Sequence, residues 1–285
     1  MRLLAIPNWS FGRNTPLLNR FRQILVERDV IYHYCESDVD HNRTVTAFSG
    51  EEDEVRGALM SLCDAAFDTI DLRKHVGVHP RVGALDVCPF VLLEGEPLEG
   101  LAFAEYTASR LAATYELPIF LYEKSERGRH ESDLPSLRKG GFGSLAGKVL
   151  HPDFGPPHVH PALGLTICGL RDHLIAFNVN FRREDPAFAK SLASKARKLR
   201  SNGDERFLGA RALGFSLSSK ELSQLSINLT LPDLTFADPI VEWAREQADE
   251  SDVAVAGVEL IGVIRAQDLF GASFLPVRPT QVVAA

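Results

Sequence analysis

The 285 residues are 45% hydrophobic and 24% charged, with a formal net charge of -7. That balance suits an ordinary globular chain with a core of useful size, and it argues against a general nucleic-acid or membrane-surface binder, which needs a basic face. The four cysteines, Cys35, Cys63, Cys88 and Cys168, form no CxxC pair. Buried, reduced thiols of a cytoplasmic protein are expected rather than a zinc site or a disulfide framework. No apolar run approaches the roughly 20 residues that cross a bilayer. Pro7-Asn8 ends the first apolar run too early for a signal peptide.

Along the chain, residues 3–6 read as a short buried strand ended by Pro7. Thr15 then offers a helix cap with Pro16 in the first turn, and Leu18, Phe21, Ile24 and Leu25 follow at helical spacing. Residues 30–34 and 44–48 look like strands, the second broken by Gly50. Glu51 to Glu54 suit a helix N-terminus, and Val55, Leu59, Leu62, Ala66 and Ile70 give that helix one apolar face. A strand over 86–93, a helix over 97–115 and a brief strand over 119–122 come next. From 125 to 164 Gly, Pro, Ser and His dominate, with one short helix over 134–138; so long a loop is functional or mobile. Order returns with a strand over 173–179. Asp185-Pro186 opens a helix lined by Phe188, Leu192, Ala196 and Leu199. Strands over 207–217 and 222–231, a helix capped by Thr235 or Asp238 and running to about 250, and a strand over 253–263 close the series.

The second half thus has the strand-helix-strand-strand-helix-strand order of a ferredoxin-like unit. The first half begins the same way and adds a helix and a strand, with no sequence repeat between them. The expected architecture is α+β, two ferredoxin-like-type subdomains over 1–172 and 173–285, with a ligand cleft between them.

Four segments could carry chemistry. Residues 74–86 hold Lys74, His75, His79, Arg81 and Asp86 on a path fixed by Gly77, Pro80 and Gly83. Histidine moves protons near neutral pH, and an arginine can clamp a carboxylate with two parallel bonds. A polar loop whose histidines bond to backbone explains the same residues. Asn42 and Arg43 stand at the mouth of a strand, where a solvated turn is the plain alternative. Residues 7–14, with Asn8, suit an aromatic-stabilised turn. Residues 151–161 contain His151, His158 and His160, but no carboxylate or cysteine is placed as a further metal ligand and no HExxH occurs. A stiff wall for a flat ligand fits the prolines there better. GxGxxG, Walker and GxSxG patterns are absent.

Read together, these segments resemble the formiminotransferase family. The run from His79-Pro80-Arg81 through Asp86 to Pro89-Phe90 carries the likeness, with Pro7-Asn8-Trp9-Ser10 and His41-Asn42-Arg43-Thr44-Val45 before it. Asp153-Phe154-Gly155-Pro156 and Leu174 to Asn180 follow in the same order, and Ser226-Ile227-Asn228-Leu229 fits more loosely. The resemblance implies transfer of the formimino group from N-formimino-L-glutamate to N5 of tetrahydrofolate, in histidine degradation and one-carbon metabolism. Tetrahydrofolate is then the co-substrate, bound between the subdomains, and no metal is implied. The family's catalytic histidine falls on His79. Its folate-contacting stretch falls on Gly155, Pro156, Pro157, His158, Val159, His160, Pro161, Ala162, Leu163 and Gly164. The substrates carry carboxylates, for which Arg43, Lys74 and Arg81, with Asn8 and Asn42, are the candidate partners. A cytoplasmic homodimer without nucleic-acid or membrane partners is the family expectation. Where the family tends to small hydroxyl residues, this chain has Pro157-His158-Val159-His160. Three alternatives stand beside this reading: a transferase handling 5-formyltetrahydrofolate, a folate-binding protein without turnover, and a metal-dependent hydrolase built on His151, His158 and His160.

Overall fold

The computed structural model describes residues 1–284. The chain is α+β and divides into two compact units, Met1–Arg171 and a second from Asp172 onward.

In the first unit β1 (Arg2–Ala5) and β2 (Asn8–Trp9) are two pieces of one strand line, both paired with β4 (Arg43–Glu51) and β5 (Leu85–Glu94). Pro7 makes the break because it has no N–H to give, yet its carbonyl still takes the Thr46 N–H at 3.0 Å. Between them come α1 (Thr15–Glu27), β3 (Ile31–Asp38) and, after β4, α2 (Glu52–Phe67). The sheet then continues through α3 (Pro97–Tyr115), β6 (Ile119–Leu121), the short α4 (Leu134–Leu137) and β7 (Thr166–Leu170). Strand order is β3-β4-β1/β2-β5-β7-β6. Its first four positions are the ferredoxin-like arrangement, and β7 and β6 extend it in parallel to β5. Parallel neighbours need a crossover, which α3 supplies.

The α1 cap lies one residue earlier than expected: the Asn14 side chain accepts the Leu17 N–H, and Pro16 follows one position into the helix. Gly50 does not break β4. It pairs with Leu3 on β1, and the ladders on both sides of a central strand outweigh the weak propensity of one glycine. Two strands of this unit escape the sequence pattern, β2 and β7. The first is two residues long, and the second is buried throughout and shows no alternation. The core gathers Leu3, Trp9, Phe21, Phe48, Leu59, Phe90 and Phe103 under the helices.

The second unit contains β8 (Ile175–Phe181), α5 (Pro186–Ser201), β9 (Ala210–Leu217), β10 (Leu222–Leu229), α6 (Ala237–Asp249) and β11 (Val255–Ile261), in the sheet order β11-β8-β10-β9. Alternation sends Phe177, Val179 and Phe181 of β8 into a core with Leu192, Ile227 and Trp243. Phe207 lies outside β9, in a 3-10 turn, where its ring meets Trp243 edge-on at 5.1 Å. Neither expected cap of α6 acts as one. Thr235 Oγ1 accepts the Gly209 N–H at 3.2 Å, and the Asp238 carboxylate accepts from Ser273 N, Ser273 Oγ and Phe274 N. Both side chains are drawn to tertiary partners, and Phe236 occupies the cap position. A small parallel pair, β12 (Ile264–Arg265) and β13 (Val282–Val283), follows. All four cysteines are buried and unpaired, and no described helix is long and apolar enough to cross a membrane.

Candidate active site

Three of the four segments singled out in the sequence meet at Asn42. This residue turns from β3 into β4 with φ of 47°, a left-handed conformation that asparagine tolerates better than most. Its Oδ1 accepts the Gly12 N–H at 2.7 Å, its Nδ2 donates to the Val76 carbonyl at 3.0 Å, and its own carbonyl accepts from His75 Nε2 at 2.8 Å. Residues 7–14, 37–45 and 74–86 are thereby tied at one point. Gly77 packs so closely on the His41 carbonyl that a Cβ there would overlap it.

His79 lies on this loop, part-exposed. Nδ1 is 2.8 Å from the Pro80 carbonyl, which can only accept, so Nδ1 carries the proton. Nε2 is 2.9 Å from Arg43 Nη1, which can only donate, so Nε2 presents its lone pair. The buried His41 ring stands edge-on to it at 5.7 Å. Burial first, then the positive charges of Arg43 and Arg138, hold the His79 imidazole well below its ordinary pKa. The site therefore holds a neutral histidine of defined tautomer.

Arg81 is placed differently from the open clamp the sequence suggests. Its Nη2 donates to the Gly77 and His79 carbonyls, each at 2.6 Å, and its Nη1 donates to His75 Nδ1. These bonds stitch the loop to itself, because a tight turn leaves carbonyls that a guanidinium fork can collect. Arg43, the first residue of β4, does face His79; burial and then Arg138 bring its pKa down to about 10. Asn8 donates to the Ile6 carbonyl at 3.1 Å, and Lys74 is exposed at the end of a 3-10 turn.

The fourth segment joins through its backbone. Leu72 N donates to Ala162 O, Ala84 N to Leu163 O and Leu165 N to Val82 O, at 2.8 to 3.0 Å. Residues 155–164 are thus fastened to the loop that carries His79. Pro157 and His158 are exposed, Leu163 and Gly164 are buried, and Val159 packs against the cluster that contains Val82, Leu165 and Ile167. His160 Nδ1 accepts the Leu163 N–H at 2.9 Å and lies 3.3 Å from the Ala162 N–H, so it caps the turn over Pro161. Among the described residues no group of three or more His, Cys, Asp or Glu is placed to hold a metal, and the metal reading of His151, His158 and His160 has no such group to rest on.

Sequence reasoning passed over Arg138, which follows α4 and reaches Asp86 Oδ2 in a buried ion pair. Asp86 Oδ1 meanwhile accepts the Val82 N–H at 2.7 Å and the Gly83 N–H at 3.3 Å. The length of the loop-rich stretch was the only signal for Arg138. In the second unit Asn178, Asn180 and Gln224 each donate to Glu259 Oε1, at 2.9 to 3.2 Å, on the sheet face opposite Phe177 and Val179.

A neutral histidine set among arginines, on a loop of an α+β chain with ferredoxin-like sheets, defines a candidate proton-transfer site for anionic substrates. The family model described as the formiminotransferase domain, N-terminal subdomain, matches residues 2–171, and that of the formiminotransferase domain matches 176–281. The chain belongs to the formiminotransferase family. It is 32% identical over 274 residues to the glutamate formimidoyltransferase of Streptococcus pyogenes serotype M1, covering 93% of this chain and 89% of that one. The glutamate formimidoyltransferase of Thermoplasma acidophilum is 32% identical over 273 residues, covering 93% and 88%. The formimidoyltransferase-cyclodeaminase of Sus scrofa is 33% identical over 279 residues, covering 94% of this chain and 51% of that one. The chain spans about half the length of the cyclodeaminase relatives it matches.

Proposed function

We propose that this chain is a glutamate formimidoyltransferase: it moves the formimino group from N-formimino-L-glutamate to N5 of tetrahydrofolate, with His79 as general base and then general acid. The observation that carries the reading is the Nε2 lone pair of a neutral His79, held by Pro80 on one side and Arg43 on the other. N5 attacks the amidine carbon and forms the new C–N bond. The N5 proton passes to Nε2 as the tetrahedral intermediate forms, Arg43 giving way to the substrate. The same proton then goes to the glutamate nitrogen as its C–N bond breaks, so glutamate leaves neutral at nitrogen and the imidazole returns to its starting form. A shuttle of this kind contributes about 10²–10⁴-fold, and orientation of two substrates adds to it.

Arg43 serves as an anion partner beside the reacting centre, Lys74 as an exposed one, and Arg81 and Asn42 as positioning residues that hold the loop. Asn8 and residues 155–164 remain the candidates for substrate and folate contact. Two relatives matched along most of their length carry the name glutamate formimidoyltransferase, which supports the reading. A cytoplasmic homodimer in histidine degradation is the physiological setting proposed with it.

The test is turnover by the purified protein with formiminoglutamate and tetrahydrofolate, following glutamate release and formiminotetrahydrofolate by chromatography. Wild type should release one glutamate per formimino group transferred. His79→Ala should lose about two to four decades of rate with the fold intact, and His75→Ala should lose less. A wild type without glutamate release would sink the function, and a His79→Ala variant at full activity would sink the mechanism.

A further inference from the structure

Two guanidinium groups stand around the loop that presents His79, with Asp86 at Arg138 and Asp38 and Asp86 acting on Arg43. Arg43 reaches His79 Nε2 from the start of β4, and Arg138 reaches Asp86 from the end of α4. Arg138 is tied to the loop that presents His79 through Asp86, which also accepts the Val82 and Gly83 N–H groups, and the positive charges of Arg43 and Arg138 both lower the His79 pKa. Asp86 answers Arg138 with one oxygen and spends the other on the Val82 and Gly83 N–H groups. The Arg138 side chain is only 12% exposed, and its buried Nε has no hydrogen-bond partner among the described residues. A buried guanidinium N–H without an acceptor costs free energy that an arriving anion recovers.

Arg138 is not a mobile surface arginine. Leu134 and Leu137 of α4 pack against the cluster that contains Val82, Val87, Tyr122, Leu145, Leu165 and Ile167, and Phe142 N donates to the Arg81 carbonyl at 2.9 Å. The segment is therefore fastened to the same loop that presents His79. The geometry suits an anion with planar acceptor oxygens, since a guanidinium pairs with a carboxylate in its own plane.

We propose that Arg138, together with Arg43, forms a carboxylate-binding site beside His79, which a glutamyl carboxylate of a substrate fills. This rests on the formimino-transfer reading for its substrate, and the glutamyl group comes either from the formimino donor or from the folate tail. Filling the site has a second effect. A carboxylate draws Arg43 away from Nε2 and offsets the charges of Arg43 and Arg138, on which Asp38 and Asp86 already act, while His41 and the Pro80 carbonyl continue to face the ring. His79 then becomes a stronger base at the moment the substrate is in place.

The experiment pairs calorimetry of glutarate binding with steady-state kinetics, on wild type and Arg138→Gln. Wild type should bind glutarate, and Arg138→Gln should bind it about 10- to 100-fold more weakly. In turnover the rise in KM should exceed any fall in kcat. If the donor fills the site, KM for formiminoglutamate rises. If the folate tail fills it, KM for tetrahydrofolate rises while that for tetrahydropteroate, which lacks the glutamyl group, does not. Glutarate should also move the His79 ring titration to higher pH in wild type, by NMR, and a purely structural ion pair to Asp86 would not produce that shift. Arg138→Lys, which keeps the charge opposite Asp86 but not the fork, gives an intermediate affinity and serves if the Gln variant does not fold. Equal glutarate affinity in wild type and both variants, or none in wild type, overturns the proposal. Glutarate binding that depends on Arg138 in a protein without formimino transfer would instead leave the anion site standing and remove the proposed reaction.

Discussion

Protonating His79 sets a third positive charge against Arg43 and Arg138, and burial adds to the cost. The base form should therefore persist below the ordinary histidine value of 6.5. The acid limb of kcat/KM, which reports the free enzyme, is expected below pH 6.5. Arg43→Gln removes the nearest cation, so that limb should move to higher pH while the maximum falls. A pH–rate profile decides it: a wild-type limb above 6.5, or one that Arg43→Gln leaves in place, contradicts the electrostatic account. The same shifts act on stability. His75, His79 and His160 are all lowered chiefly by burial. As pH falls below about 6.5 the unfolded chain takes up protons before the folded one does, so the stability present above that pH is lost below it. Much of the candidate site was legible at this scale. His79, Arg43 and Asn42 stand in runs whose composition already suggested chemistry. What Arg81 does was not legible, because nothing in a sequence says that a guanidinium will find its partners in the carbonyls of its own loop.

Helices were read from their periodicity with little error, and α3 has the predicted bounds, Pro97–Tyr115. Caps fared worse, since Thr235 and Asp238 have tertiary partners that compete with a cap. The stretch from 125 to 164 is where element-level reading ended. It is held by contacts between residues well separated along it and with β6: Asp153 accepts the Leu121 N–H at 2.7 Å and meets His130 Nε2 at 2.8 Å. At its end Gly164 has φ of 77°, and a Cβ there would overlap the Val82 carbonyl and lie 2.9 Å from Leu72 Cδ1. Gly164→Ala should therefore cost about 1–3 kcal/mol in urea denaturation and reduce turnover, because the Gly83–Gly164 bridge sets the path of the His79 loop. A variant as stable and active as wild type would show that this junction is more pliant than its contacts imply.

Each unit has a core of its own, and each sheet contains the same ferredoxin-like order although the halves show no sequence repeat. Binary patterning explains this: strands of period two and helices of period 3.6 in the same succession reach the same arrangement with different side chains. Phe177 of β8 is fully buried in the second core. Phe177→Ala should cost about 3–5 kcal/mol, with amide protection lost first across β8, β10 and β11 in hydrogen exchange. A loss below about 1 kcal/mol would mean that the core closes over the gap.

By itself the sequence determined the α+β class, the succession of strands and helices, and the loop that presents His79, because hydrophobic period, proline and glycine act locally. Tertiary structure alone decided which charges surround that histidine. Arg43 and Arg138 are far apart in the chain, and they act on the same ring only because β4 and α4 are packed against the loop over residues 74–86. Charge–charge effects depend on distance in space, which the order of residues does not encode.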